Sequence, residues 1–198
     1  MSKINYNQAS FLLSAVALKH LPEDNGNEVA FIGRSNAGKS SAINTLTGIK
    51  GLARSSKTPG RTQAINIFKL NDNNRLMDLP GYGFTKAPLT VSKKWMQLVN
   101  DYLQDRGCLK GLVLIMDIRH PLKEQDVKLL DWAVTCQLKV HILLSKADKL
   151  KKGPANNALL QVKKAIEPNK SYISVQLFSS LDKIGLSDLQ QQLDKWFA

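Results

Sequence analysis

The sequence is poor in cysteine and lacks long apolar runs. Its 198 residues include two cysteines, Cys108 and Cys136, without CxxC spacing or a nearby histidine, so we expect two buried thiols rather than a disulfide framework or a metal site. The apolar run 112–116 is far shorter than the roughly 20 residues of a membrane span. Residues 11–18 are interrupted by polar side chains and precede no cleavage site, which argues against a signal peptide. We therefore expect a cytoplasmic protein without a membrane segment.

Acidic residues are also scarce. There are 16 of them against 28 lysines and arginines, which gives a net charge of +12. Lysines cluster at 93–94, 149–152 and 163–164, and each cluster alone could be a solvated helix face. The total excess favours a polyanionic partner, with RNA as the leading candidate. Because no paired aromatics suggest base reading on a sheet, the expected contacts are to phosphates.

The order of apolar segments predicts an α/β fold. Strands alternate with amphipathic helices, which is typical of a mostly parallel sheet with helices on both faces. We expect six strands in one domain over residues 1–198, with a helix over residues 8–19 in a helical lead-in, 1–22. Residues 64–70 and 75–79 flank an Asn/Asp-rich turn and predict a hairpin that supplies one antiparallel edge strand.

A phosphate-binding loop follows the strand predicted at residues 29–32. The pattern GxxxxGK[ST] is matched by Gly33, Arg34, Ser35, Asn36, Ala37, Gly38, Lys39 and Ser40. Between a strand and a helix, such a loop directs backbone N–H groups at one phosphate. We expect Lys39 to reach the β- and γ-phosphates and Ser40 to ligate Mg²⁺.

Two further segments complete the phosphate end. Asp78, Leu79, Pro80 and Gly81 form a DxxG motif at a strand end, where the carboxylate would reach Mg²⁺ through a water and the Gly81 N–H would approach the γ-phosphate. In the loop before the hairpin, Thr62 is preferred over Thr58 as a second metal ligand, because it is nearer the strand that anchors the loop.

The segment Ser145, Lys146, Ala147 and Asp148 resembles the guanine-reading pattern [NT]KxD. Asp148 can accept from N1–H and N2–H of guanine, a donor pair that adenine lacks. Lys146 would lie over the base, and the Ser145 hydroxyl can tie this loop to the phosphate loop. After the last strand, Phe178, Ser179 and Ser180 can offer a backbone N–H to guanine O6.

Together, GRSNAGKS, SKTPGRTQ, DLPGYG, SKAD and FSS resemble the EngB family of bacterial GTP-binding proteins over nearly the whole chain. The resemblance implies a three-layer P-loop NTPase G domain that binds GTP or GDP and acts in large ribosomal subunit assembly and division septum formation, as a monomer by default. It implies Mg²⁺ ligands at Ser40 and Thr62, and nucleotide contacts at the four motifs above and at Gly60, Arg61, Thr62, Gln63 and Ala64. Ala64 and Ser145 depart from the family's usual residues without removing a metal ligand.

The expected reaction is in-line hydrolysis of GTP, with Lys39, Thr62, Gly81 and Asn36 as the catalytic candidates. Many GTPases place glutamine directly after DxxG, but Tyr82 has no amide to align water, so intrinsic turnover should be slow. Asn36 resembles the asparagine of potassium-stimulated GTPases, which makes K⁺ a possible second cation; a loop-stabilising role remains open. Arg34 and Arg61 are weaker candidates for a catalytic arginine. The alternative function is a regulatory GTP-binding module that acts on a protein partner in division.

Overall fold

The computed structural model describes residues 4–54, 64–82 and 89–198, with the side chains of residues 89–96 left aside. Seven strands form one sheet, in the spatial order β1-β3-β4-β2-β5-β6-β7. The strands are β1 (Ser10–Ala15), β2 (Asn27–Gly33), β3 (Ile65–Lys69), β4 (Asn74–Asp78), β5 (Leu109–Asp117), β6 (Val140–Ser145) and β7 (Ile173–Leu177). The helices are α1 (Lys39–Thr47), α2 (Leu89–Asp105), α3 (Glu124–Thr135), α4 (Lys152–Ile166) and α5 (Leu186–Phe197).

The central strands separate two apolar cores. In β2, Ala30 and Ile32 belong to the core that includes residues of α2, α3 and α4. Val29 and Phe31 point to the opposite side, into the core that includes residues of α1 and α5. Successive strand residues face opposite sides of a sheet, so a strand that is apolar throughout requires cover on both faces. The predicted α/β arrangement with helices on both faces is confirmed.

The N-terminal prediction was wrong. Residues 8–19 were expected to form a helix, but Ser10–Ala15 is a strand that pairs antiparallel with β3, with an irregularity between Phe11 and Leu13. The sheet therefore has seven strands rather than six. The predicted hairpin is present, but β3 lies between β1 and β4 instead of at the edge. Sheet pairing and the contact of Phe11 with the Phe68 ring outweigh the helix propensity of a segment rich in Ala and Leu.

The two cysteines differ in burial, and the helices are too short or too polar to span a membrane in the described part of the chain. Cys108 is buried as expected, whereas Cys136 is exposed where α3 ends, so the prediction of two buried thiols was half wrong. Within the described residues, no helix is both long and apolar enough to cross a membrane.

Four parallel strands, β2, β4, β5 and β6, end at one edge of the sheet. This edge carries Gly33 at the end of β2, Asp78 at the end of β4, Asp117 at the end of β5 and Ser145 at the end of β6. In open α/β sheets, ligands bind in the crevice outside the carboxyl ends of the strands. The fold thus brings the predicted motif residues to a single edge.

Candidate functional site

The loop between β2 and α1 has the backbone of a phosphate cradle. Gly38 lies at φ 104° directly before α1, and Asn36 has φ 64°, a left-handed conformation that asparagine tolerates better than most residues. A Cβ at Gly33 would come within 2.5 Å of the Ile115 carbonyl oxygen, so only glycine fits there. The loop therefore turns tightly enough for its N–H groups and the start of α1 to face one anion.

The lysine expected at the phosphates and the aspartate expected near Mg²⁺ contact each other. The Lys39 ammonium forms an ion pair with the Asp78 carboxylate, which is buried and also accepts from Asn66 Nδ2 at 3.4 Å. Ser40 follows Lys39 in the first turn of α1. A serine hydroxyl and a carboxylate are oxygen donors of the kind Mg²⁺ prefers, usually with waters and phosphate oxygens completing its shell. The described donor set fits this ion; Thr62, the other predicted ligand, lies outside the described residues.

The DxxG segment is held against the phosphate loop by its backbone. Tyr82 N–H donates to the Gly33 carbonyl at 3.2 Å, and Ser35 N–H donates to the Tyr82 carbonyl at 2.9 Å. A Cβ on Gly81 would lie 3.2 Å from that same Gly33 oxygen. Gly81 is thus placed beside the loop, as the motif predicts for a γ-phosphate contact.

Tyr82 points away from this cleft. Its buried phenol donates to Asp126, whose other oxygen accepts from Lys123 N–H at 2.9 Å, directly before α3. Burial first, and the Asp126 carboxylate second, raise the pKa of Tyr82, so the phenol keeps its proton and remains the donor. The residue after DxxG therefore links the site to α3, a role the sequence did not reveal because Asp126 belongs to no motif.

The guanine-reading segment is tied to the phosphate loop at two points. The Ser145 hydroxyl donates to the Ala37 carbonyl at 2.5 Å, as predicted, and the Lys146 ammonium donates to the Asn36 carbonyl at 2.7 Å. Lys146 has φ 59°, and Ala147 N–H donates to the Phe178 carbonyl at 3.1 Å. The base-reading and phosphate-binding loops are thus fixed relative to each other.

Asp148 is prepared to act as an acceptor. Ser179 Oγ donates to its Oδ1 at 2.7 Å, and the Lys149 ammonium lies 3.2 Å from its Oδ2. The hydrogen bond from Ser179 is the main cause of a lowered Asp148 pKa, so the carboxylate is ionised at neutral pH. Ser179 N–H donates to the Ile184 carbonyl, whereas Ser180 N–H donates to no backbone or side-chain acceptor in the described part of the chain. Of this segment, Ser180 has the one amide that no acceptor among the described residues occupies.

One charged group at this edge was missed. Asp117 ends β5 and binds Lys146 Nζ at 2.9 Å, and its neighbour Arg119 donates to both Asp117 oxygens. A charged residue directly after an apolar parallel strand is the signal that could have indicated it, because such strands end at the site.

Several predicted residues remain untested by the geometry. Gly60, Arg61, Thr62 and Gln63 lie outside the described residues, and Ala64 lies directly before β3. Asn36 and Arg34 are exposed on the phosphate loop. The Asn36 side-chain amide makes no hydrogen bond within residues 4–54, 64–82 and 97–198. The Asn36 backbone carbonyl accepts a hydrogen bond from the Lys146 ammonium.

The model of the family described as "50S ribosome-binding GTPase" matches residues 28–146. "Probable GTP-binding protein EngB" of Coxiella burnetii is 55% identical over 192 residues, which cover 97% of this chain and 94% of that protein. The protein of the same name from Vibrio parahaemolyticus is 51% identical over 196 residues, which cover 99% of this chain and 90% of that protein.

Two solved structures share the fold at low sequence identity. The crystal structure of a probable GTP-binding protein EngB superposes with a TM-score of 0.70 at 22% identity, covering 86% of this chain and 98% of that one. Era in complex with MgGDPNP and nucleotides of 16S ribosomal RNA superposes with a TM-score of 0.63 at 19% identity, covering 87% and 57%. Both likenesses concern the fold alone.

Proposed function

Because this chain belongs to the EngB family of GTP-binding proteins, we propose that it is a single G domain whose GTP and GDP states switch its binding to the large ribosomal subunit or its precursors. GTP binding and a GTPase domain are family properties. The switch, a slow Mg²⁺-dependent turnover, a cytoplasmic location as a monomer and a requirement for septum formation are parts of the proposal. The observation that carries it is the connection of the phosphate loop to the guanine-reading loop through Ser145 and Lys146.

Each group has a specific part in the proposed reaction. Backbone N–H groups of the phosphate loop and the Lys39 ammonium would hold the β- and γ-phosphates, and Gly81 N–H would meet the γ-phosphate. Ser40, Thr62 and, through water, Asp78 would hold Mg²⁺, which would neutralise charge on the phosphate oxygens. Since the Tyr82 phenol faces Asp126, the side chain after DxxG cannot align the attacking water, which supports slow turnover.

Base selectivity tests the nucleotide part of the proposal. The Asp148→Asn variant should lose affinity for GDP and gain affinity for xanthosine diphosphate, because an amide can donate to the carbonyl that xanthine carries in place of the guanine amino group. Titration of both nucleotides into wild type and variant measures the exchange. An Asp182→Asn variant, changed at an exposed carboxylate in the neighbouring loop, is the matched control. Equal guanine preference in wild type and Asp148→Asn would contradict the assignment of Asp148.

Potassium stimulation is part of the same proposal. Asn36 is exposed on the phosphate loop, and its side-chain oxygen would be the ligand for the cation. We expect faster GTP hydrolysis in KCl than in NaCl, with the difference lost in an Asn36→Gly variant. Glycine is the suitable replacement because it accepts φ 64° without strain. Equal rates in the two salts would rule out this role.

The surface of α4 is the proposed ribosomal contact. No acidic residue occurs from 149 to 166, and four exposed lysines there have no acidic partner among the described residues: Lys151, Lys152, Lys163 and Lys164. We call these four the α4 basic face. Lys163 and Lys164 lie where helix polarity favours cations, but Lys151 and Lys152 lie at the start of the helix, where it disfavours them. Helix stability therefore does not account for this charge, which supports the proposal that these lysines bind phosphates.

Sedimentation with ribosomal particles tests the contact. We expect co-migration with large subunits or their precursors in a non-hydrolysable GTP analogue but not in GDP, weakened when the α4 basic face is changed to glutamine. A matched variant removes four exposed lysines elsewhere: Lys19, Lys50, Lys110 and Lys195. The α4 variant should lower the slope of log K against log salt by about one for each lysine that touches a phosphate. Equal loss in both variants would mean that only net charge matters.

A protein partner in division is the second candidate. Phe11, Leu12 and Val16 are exposed in or next to β1, at the edge of the sheet. Exposed apolar side chains on an edge strand are suited to pairing with another polypeptide. Absence of the protein from every ribosomal particle in both nucleotide states would favour a protein partner over a ribosomal one.

A further inference from the structure

Asp117 lies at the carboxyl end of β5, outside the four motifs that carry the proposed nucleotide site. Its Oδ2 accepts from Lys146 Nζ at 2.9 Å, and that ammonium also donates to the Asn36 carbonyl at 2.7 Å. We propose that Asp117 is a positioning residue that holds Lys146 on the phosphate loop and thereby sets how long a guanine nucleotide stays bound. This inference rests on the proposed nucleotide site and names a further group that determines its affinity.

Lys146 needs such a partner because burial does not fix it. Its side chain is 30% exposed, and a lysine side chain loses considerable conformational freedom when it is held in one geometry. The ammonium has three donors, and two of them are directed at Asn36 and Asp117. The Lys146 stem is therefore stretched across the gap between two strand ends, where the motif would place the base.

Asp117 is itself firmly placed. Arg119 Nε donates to its Oδ1 at 2.9 Å and Arg119 Nη2 to its Oδ2 at 2.6 Å, a two-point contact between guanidinium and carboxylate. The backbone beside it is also fixed, since Ile118 N–H donates to the Ser145 carbonyl at 3.0 Å. The hydrogen bonds from Arg119, followed by the one from Lys146, hold the Asp117 pKa well below its usual range. The carboxylate is thus ionised at neutral pH, and Arg119 holds it in one orientation.

Two physical effects of Asp117 on nucleotide binding have opposite signs. A negative charge near a polyphosphate repels it, so removal of that charge should tighten binding if only Coulomb forces act. If Asp117 acts by fixing Lys146, its removal should weaken binding, because ordering the lysine would then reduce the binding free energy. The direction of the effect therefore separates positioning from simple electrostatics.

The experiment measures dissociation of fluorescently labelled GDP from the full chain by stopped flow, with equilibrium titration alongside. We expect Asp117→Asn to raise the dissociation rate about tenfold, the effect of losing one charge-assisted contact. In a Lys146→Ala background, the same change should alter the rate less than about twofold, because the residue it acts through is gone. Asp131→Asn, at an exposed carboxylate on α3, should leave the rate unchanged.

Stability and rescue keep the outcome interpretable. Thermal unfolding of every variant without nucleotide shows whether Asp117→Asn merely loosens the fold, and Asp117→Glu should recover part of the residence time. The inference is overturned if Asp117→Asn releases nucleotide at the wild-type rate or more slowly, if its effect is the same with Lys146 absent, or if Asp117→Glu behaves like Asp117→Asn. Failure of wild type to bind guanine nucleotides would instead overturn the proposed function.

Discussion

Removal of one hydroxyl from Tyr82 should destabilise the fold measurably. Tyr82 and Asp126 are 7% and 1% exposed, so water has little access to the Asp126 oxygen once its donor is lost. A buried hydrogen bond to a charged group contributes about 1.5–3 kcal/mol. Tyr82→Phe keeps the ring in place, so we expect the free energy of unfolding to fall by about 2 kcal/mol and the melting temperature by about 4–8 °C.

Urea unfolding followed by circular dichroism at neutral pH measures this change. Tyr172→Phe is the matched control, since the Tyr172 hydroxyl makes no hydrogen bond within residues 4–54, 64–82 and 97–198 and the site is only half buried. The control should lie within about 0.5 kcal/mol of wild type. A Tyr82→Phe protein as stable as the control would mean that the contact with Asp126 does not hold the residue after DxxG against α3.

Three further outcomes follow from the contacts. Arg106→Ala should lower the free energy of unfolding by about 1.5–3 kcal/mol in urea titration, because it removes two hydrogen bonds from the fully buried Glu28 carboxylate at the far end of the sheet, which Tyr102 and Arg75 still contact. Burial is the main cause of a lowered His141 pKa; the hydrogen bond with Gln176 and the charge of Asp188 oppose it, and Lys195 adds to it. The unfolded chain then binds more protons, so stability should fall as pH drops below about 6.5, and a His141→Gln variant unfolded at several pH values should show a shallower fall. Asp78→Asn should reduce at least tenfold the ratio of GDP affinities measured with Mg²⁺ and with EDTA, as expected for loss of a carboxylate near the ion; an unchanged ratio would argue against a magnesium role.

The sequence predicts well wherever local pattern and tertiary packing agree. β2, the phosphate loop and α1 follow from an apolar run, glycines at Gly33 and Gly38 and a helix start, and the structure places them as expected. At β1 the two levels disagree: Ala and Leu favour a helix, but the segment pairs with β3, which no local signal reveals. Cys136 was misjudged for a similar reason, because a residue at a helix end takes its exposure from the following turn.

The missed site residues are single charges without a motif. Asp117 contacts Lys146, which lies 29 positions away in the chain. Asp126 contacts Tyr82, which lies 44 positions away. Such long-range pairs depend on strand register: Asp117 meets Ser145 because β5 and β6 are adjacent and parallel. Register follows from the assembled sheet, so the sequence indicates that a charge lies at the site edge but not which side chain it meets.

The two halves of the site should therefore respond differently to a ligand. At the base end, Ser145, Lys146 and Asp148 already have protein partners that orient them, so a guanine base would meet an arranged surface at little cost in ordering. At the phosphate end, Lys39 and Asp78 form an ion pair with each other, which phosphate and Mg²⁺ would have to replace with contacts of their own. Lys39 would then pair with the phosphate and Asp78 with Mg²⁺, so this exchange requires both the phosphate and the metal ion. The proposed affinity should thus depend on Mg²⁺ through Asp78, while the preference for guanine persists when the metal is removed.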